Sequence, residues 1–186
     1  MITVYIYTTD SVKEVELPKN LDSHSNIYTH KNIKALSRYS YYLLAEKLKE
    51  CGYDPTLITF DKKGKGVHPH ISFSISHSKD YIALAIRKAS VGVDVEEIIM
   101  DEKLNLASKI LTDEEYDIFD KKLDKNGYLT EKWTQKEAYG KFLGKGLTHS
   151  VLMTTVDGFS FNVKGAVVSV YPKENVLMYY NEREIS

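Results

Sequence analysis

The chain has 186 residues, with 25 Lys and Arg against 26 Asp and Glu, so a net charge of −1 leaves no overall field to gather nucleic acid or an anionic membrane, and any anion site must be local. A single cysteine, Cys51, excludes a disulfide framework and a thiolate zinc site. The opening stretch MITVYIYTTDSVKEVE has neither a basic start nor a long apolar run, so no signal peptide or membrane span is expected, and a cytoplasmic location is.

Ile2–Thr8 alternates β-branched and aromatic residues and reads as a strand. Asp10–Asn20, polar and containing Pro18, reads as a turn. From Asn32 to Lys49, apolar residues recur at Ile33, Leu36, Tyr39, Leu43, Leu44 and Leu48, which predicts a helix that stops near Gly52; Arg38 lies in its first half. Asp61–Val67, DKKGKGV, is a basic glycine-containing loop. Lys62, Lys63 or Lys65 could meet a phosphate there, although the loop lacks the GxxxxGK-Ser/Thr pattern of a P-loop. His68-Pro69-His70 has ligand-like spacing with nothing nearby to complete a metal site, and reads as loop. Ile71–Ser76, Tyr81–Arg87 and Val91–Glu96 alternate and are joined by short links, which predicts an antiparallel meander with His77 near Asp94 and Glu96.

Within Val91–Glu97, VGVDVEE, the valines face one side, and Gly92, Asp94 and Glu96 the other. The two carboxylates lie about 7 Å apart at ~3.3 Å per residue. Carboxylates that close repel unless a cation sits between them or one takes a proton. Hard oxygen ligands suit Mg²⁺, which borrows remaining ligands from substrate phosphate. The alternative is a strand end whose acidic residues are simply hydrated.

From Asp101 the pattern turns helical. Leu104, Leu106, Ile110 and Leu111 suggest one short helix, and Thr112-Asp113-Glu114-Glu115 is a capping-box sequence that starts another through Phe119. Asn126-Gly127 reads as a turn before a helix over Leu129–Phe142. On that helix Trp133, Glu137 and Lys141 share one stripe, either as a functional row or as a packed tryptophan beside an ordinary ion pair. Val151–Val156, Phe159–Val163, Ala166–Val170 and Val176–Tyr180 alternate, with hairpin turns at Asp157-Gly158 and Lys164-Gly165. A helix followed by a three-strand meander thus occurs twice. This predicts an α+β fold of two similar halves, 1–99 and 100–186, each with helices packed on a small antiparallel three-strand sheet, and a cleft between them.

The strings FSISHSKDYIALAI, VGVDVEEI and WTQKEAYGKFLGKGL, in that order, resemble the 4′-phosphopantetheinyl transferase superfamily, in its Sfp-like branch, whose single chain is a pseudo-dimer of two AcpS-like halves. The resemblance covers residues 64 to 148. It implies transfer of the phosphopantetheine arm from coenzyme A to a serine of an apo acyl or peptidyl carrier protein, with release of adenosine 3′,5′-bisphosphate. The resemblance places Mg²⁺ on Asp94, Glu96 and Glu137. It puts His77, supported by Ser76, at the coenzyme A 3′-phosphate, Lys141 at the pyrophosphate, and Lys65 and Arg38 at further phosphate contacts. Glu137 and Lys141 become the catalytic pair, with Glu137 as the base, directly or through a water on the metal. Lys136 belongs to the family string without an assigned role. The carrier is expected against the helices around Thr112–Phe119, the enzyme is expected to be a monomer, and the branch points toward secondary metabolism. The rival readings are a Mg²⁺-dependent pyrophosphate hydrolase that needs no carrier, and a coenzyme A- or carrier-binding module without catalysis.

Overall fold

The alternating and 3.6-residue patterns become ten strands and six α-helices in the computed structural model, which describes residues 1–26 and 30–185. In chain order these are β1 (Ile2–Thr8), α1 (Lys19–Ser25), α2 (Lys31–Glu50), β2 (Thr59–Phe60), β3 (Gly66–Val67), β4 (Ser72–His77), β5 (Tyr81–Arg87) and β6 (Gly92–Glu97). They continue with α3 (Ala107–Ile110), α4 (Asp113–Asp120), α5 (Lys125–Leu143), α6 (His149–Leu152), β7 (Phe159–Val163), β8 (Ala166–Tyr171), β9 (Val176–Tyr180) and β10 (Arg183–Ile185). The architecture is mixed α+β, as the patterning predicts.

Two hairpins form as expected. β4 and β5 pair antiparallel, with His77 opposite Ile82, and β7 and β8 pair antiparallel around Lys164-Gly165, where both residues have positive φ. The third strand of each expected meander goes elsewhere. β6 leaves β5 and pairs antiparallel with β8, setting Asp94 opposite Ser169. β9 runs parallel to β1 in a five-stranded sheet ordered β10-β9-β1-β5-β4. The three-strand meander over Ile71–Glu96 is therefore corrected to a two-strand hairpin, and strand pairing crosses the expected division at residue 99 in both directions. Alternation determines which face of a strand is buried, not which strand lies beside it.

The buried faces explain the exchange. Val91, Val93 and Val95 join Val168 and Val170 of their own sheet and Ile2, Val4, Ile6, Ala83 and Ala85 of the other in one cluster, so the two sheets share one core. The opposite face of β5, with Ile82, Leu84 and Ile86, packs against Tyr39, Leu43, Leu44 and Leu48 of α2. A third cluster joins Leu129 of α5 to Ile110, Leu111 and Phe119.

Two local expectations change for reasons of capping. Asn126-Gly127 is the first turn of α5, not a separate turn, because the Asp124 side chain accepts from Gly127 N at 2.8 Å and caps the helix. The expected strand at Val151–Val156 begins instead as α6, where Thr148 caps the helix by accepting from Val151 N at 3.3 Å. The capping box at Thr112 forms as read, with both reciprocal bonds present.

Candidate active site

Helix α5 reaches the polar face of β6 because Gly92 has no side chain. A Cβ there would lie 1.9 Å from the carbonyl oxygen of Ala138. The close approach anticipated at Gly92 is thus that of a helix backbone. It sets Trp133, Glu137 and Lys141, on successive turns of α5, over Asp94 and Glu96. A cavity of about 350 Å³ results, closed on its far side by Ser76 and His77 of β4 and by Ser37, Ser40 and Tyr41 of α2. The three carboxylates singled out in the sequence therefore open into one space.

Asp94 is buried, and its Oδ1 accepts from Ser76 Oγ at 2.7 Å and from Lys141 Nζ at 2.8 Å. Lys141 also donates to Val93 O at 3.1 Å, which anchors its ammonium at the cavity wall. Ser76 is thus a partner of Asp94. Burial pushes Glu96 up to about 7, and the negative charges of Asp94, Glu97 and Glu137 add to the rise. Glu137 is raised by burial and by Asp94, with Lys141 opposing. His77 is held below its ordinary value by burial and by the nearby Lys141 charge, so its imidazole is neutral near pH 7.

A second cavity of about 400 Å³ adjoins the first, and Tyr41, Ile75 and Lys141 line both. Its other wall carries Lys63, Lys65, Lys145, Gly144 and Gly146. The loop between β2 and β3 is shaped by Asp61, whose side chain accepts from Lys63 N and Lys65 N, and by Gly64 at φ +80. Lys65 Nζ donates to Lys141 O at 2.7 Å, so the loop is tied to the end of α5. Burial lowers the Lys65 pKa.

Arg38 is not brought to the site. Its guanidinium pairs with Asp22 and donates to Val15 O at 3.1 Å, and it lines a different cavity beside Val12 and Lys34. Ser37, Ser40 and Tyr41 of the same helix face the first cavity, and Arg38 projects from another side of the helix, away from the residues with which its phosphate contact is expected. His68 is buried against Asp54 O, and its Nδ1 accepts from His70 N, as befits a loop histidine.

Carboxylate oxygens are the type of donor a hard divalent cation takes. Asp94, Glu96 and Glu137 share one cavity, and each of the two glutamates is raised in part by the charge of its neighbours, a repulsion that a cation would relieve. Among the described residues no group of three or more His, Cys, Asp or Glu side chains is gathered closely enough to hold a metal ion by itself. Mg²⁺ usually keeps several waters and takes one or two carboxylates plus substrate phosphate, so an open set suits it.

Sequence reasoning missed the α2 wall and the part played by Lys136. That side chain is fully buried, paired with Glu115 at 2.6 Å, and bonded to Ile110 O and Leu152 O. A lysine flanked by Gln135 and Glu137 on a half-exposed helix carries no signal of burial, and its partner Glu115 is 21 residues away in the chain.

The sequence model of the 4′-phosphopantetheinyl transferase superfamily matches residues 90–182, half of the chain, and that span includes Asp94, Glu96, Glu137 and Lys141. The chain is 32% identical over 101 residues to the 4′-phosphopantetheinyl transferase psf-1 of Bacillus pumilus, covering 50% of this chain and 43% of that protein. It is 30% identical over 123 residues to a 4′-phosphopantetheinyl transferase of Bacillus subtilis, covering 62% of this chain and 52% of that one. It is 38% identical over 63 residues to the holo-[acyl-carrier-protein] synthase of Streptococcus uberis, covering 30% and 53%. The chain thus spans about half the length of the curated relatives it matches. With its acidic strand and its helix stripe lying in the matched span, the chain belongs to the 4′-phosphopantetheinyl transferase superfamily.

Proposed function

We propose that the chain is a Mg²⁺-dependent 4′-phosphopantetheinyl transferase that moves the phosphopantetheine arm of coenzyme A to the serine of an apo acyl or peptidyl carrier protein and releases adenosine 3′,5′-bisphosphate. The observation that carries this reading is the convergence of Asp94, Glu96, Glu137 and Lys141 on one cavity that opens into a lysine-lined neighbour. A diphosphate needs cationic groups along its length, and the nucleophile needs a base beside the reacting phosphorus.

Asp94, Glu96 and Glu137 would hold Mg²⁺, which when bound neutralises charge on the diphosphate oxygens. Glu137 sits above the ordinary carboxylate range, so it suits accepting the proton of the carrier serine, directly or through a water. Lys141 would neutralise the bisphosphate as it leaves. The neutral His77 imidazole would donate to the coenzyme A 3′-phosphate, and Lys65 would meet phosphate from the second cavity. The carrier would dock on α4, where Tyr116 and Ile118 are exposed, with Leu123 just beyond its end. Because Asp113 and Glu114 make its first turn acidic, that contact would be apolar more than electrostatic with an acidic carrier.

The proposal includes a pseudo-dimer of two α+β halves, with β6 and β9 each pairing across the division at residue 99, and an active site in the cleft between the halves. A cytoplasmic monomer serving secondary metabolism completes the proposal. The test is incubation of the chain with coenzyme A, Mg²⁺ and an apo carrier, followed by mass spectrometry of the carrier. A gain of one phosphopantetheine on the carrier serine supports transfer. Coenzyme A cleaved with the carrier unchanged identifies a hydrolase, and neither product identifies a binding module.

A further inference from the structure

Lys136 lies on the face of α5 turned away from the cavity. Its side chain has no exposed surface, and that of its partner Glu115 is 3% exposed. The three ammonium protons meet Glu115 Oε2 at 2.6 Å, Ile110 O at 2.9 Å and Leu152 O. These acceptors belong to three separate segments, α4, the end of α3 and the end of α6. Glu115 Oε2 also accepts from Thr112 N at 3.0 Å within the capping box. One ammonium therefore joins α5 to three helices on its back, while Gly92 holds its front against β6.

Stability does not explain the arrangement. A buried pair loses hydration on both ions, and well-packed apolar residues in its place are often as stable or more so. Glu115 Oε1 is buried without a hydrogen-bond partner, which adds to the cost. Three directional bonds do supply orientation. Side chains reach about 5–6 Å from a helix axis, so rotating α5 by about 20° would sweep a carboxylate by ~2 Å. Misplacement of a catalytic group by about 1 Å can cost ~100-fold in rate.

We propose that Lys136 is a positioning residue: its three-way bond to Glu115, Ile110 O and Leu152 O sets the rotation of α5, and with it the place of Glu137 and Lys141 in the cavity. The claim rests on the transferase reading above for its effect on turnover, and on geometry alone for its effect on α5.

The test replaces the pair together, as Lys136→Met with Glu115→Leu, so that no charge is left buried alone. Trp133 is the sole tryptophan of the chain and sits on the α5 stripe at the cavity wall, so its emission and acrylamide quenching report the helix independently of transfer. The expected result is a cooperatively folded variant that melts within a few degrees of the parent, with altered Trp133 quenching and a kcat for carrier modification at least tenfold lower. A folded variant with unchanged quenching, or with kcat within twofold of the parent, would overturn the proposal. If circular dichroism shows the double variant unfolded, Lys136→Arg takes its place; it keeps the charge but not the three-way geometry, and the same pair of readouts decides. If the parent chain transfers nothing, the transferase reading fails, whereas the quenching comparison still tests the positioning of α5.

Discussion

Gly92→Ala tests the contact on which the site is built. The backbone at Gly92 is ordinary strand, so the penalty is one of space. Bringing the new Cβ from 1.9 Å to the 3.4 Å of an ordinary contact with Ala138 O requires α5 to withdraw by about 1.5 Å, and Phe142 N and Ala138 C, both at 2.8 Å, block a sideways escape. Overpacking of this kind costs about 1–3 kcal/mol. The stiffer unfolded chain offsets about 0.4–1 kcal/mol of that. A net loss of about 1–2 kcal/mol lowers Tm by roughly 2–8 °C for a chain of this size. The same withdrawal carries Glu137 and Lys141 away from Asp94, so turnover should fall about 100-fold or more, a larger effect than the loss of stability alone would produce. Thermal unfolding by circular dichroism and the mass of the carrier at fixed times measure the two effects. A variant that melts and turns over like the parent would show that α5 does not need this approach, and the account of the site would fall with it.

Asp94→Ala removes the carboxylate on which Ser76 and Lys141 converge, and transfer should be undetectable at any practical Mg²⁺ concentration; near-native rates would rule out its assigned role. His77→Ala should chiefly weaken coenzyme A binding, read by calorimetric titration, with a smaller change in kcat. Glu96 titrates at about 7 in the fold against an ordinary 4.5, so the folded state favours its protonated form. Its contribution to stability is full below 4.5 and is lost as pH rises through 7, so in a chelator Tm should decline over that window, Glu96→Gln should flatten the decline, and added Mg²⁺ should raise Tm more at pH 8 than at pH 6. Arg38→Ala should leave coenzyme A affinity within twofold, because its guanidinium is tied to Asp22 and Val15 outside the cavity; a tenfold loss would return it to the site.

Much of the chemistry is written in local patterns. Period-two alternation put Asp94 and Glu96 on the face opposite the valines, and helical spacing put Trp133, Glu137 and Lys141 on one stripe. Both depend only on the geometry of a single element, which residues a few positions apart dictate. The hairpins β4–β5 and β7–β8 and the Thr112 capping box were legible for the same reason. The cap at Asp124 was as local but was outweighed by the turn preference of Asn126-Gly127.

The pairing of the elements is another matter. Which strand β6 would join, and that β9 would run beside β1, depended on how the valine face of one sheet could be covered by the other, a choice made by the whole core. Arg38 and Ser37 are neighbours in sequence, yet only the docking of α2 decided that Ser37 faces the cavity and Arg38 does not. Lys136 was the least legible of all, because a lysine is drawn into the interior only by acceptors that arrive from distant segments, and no spacing in the chain announces where those acceptors meet.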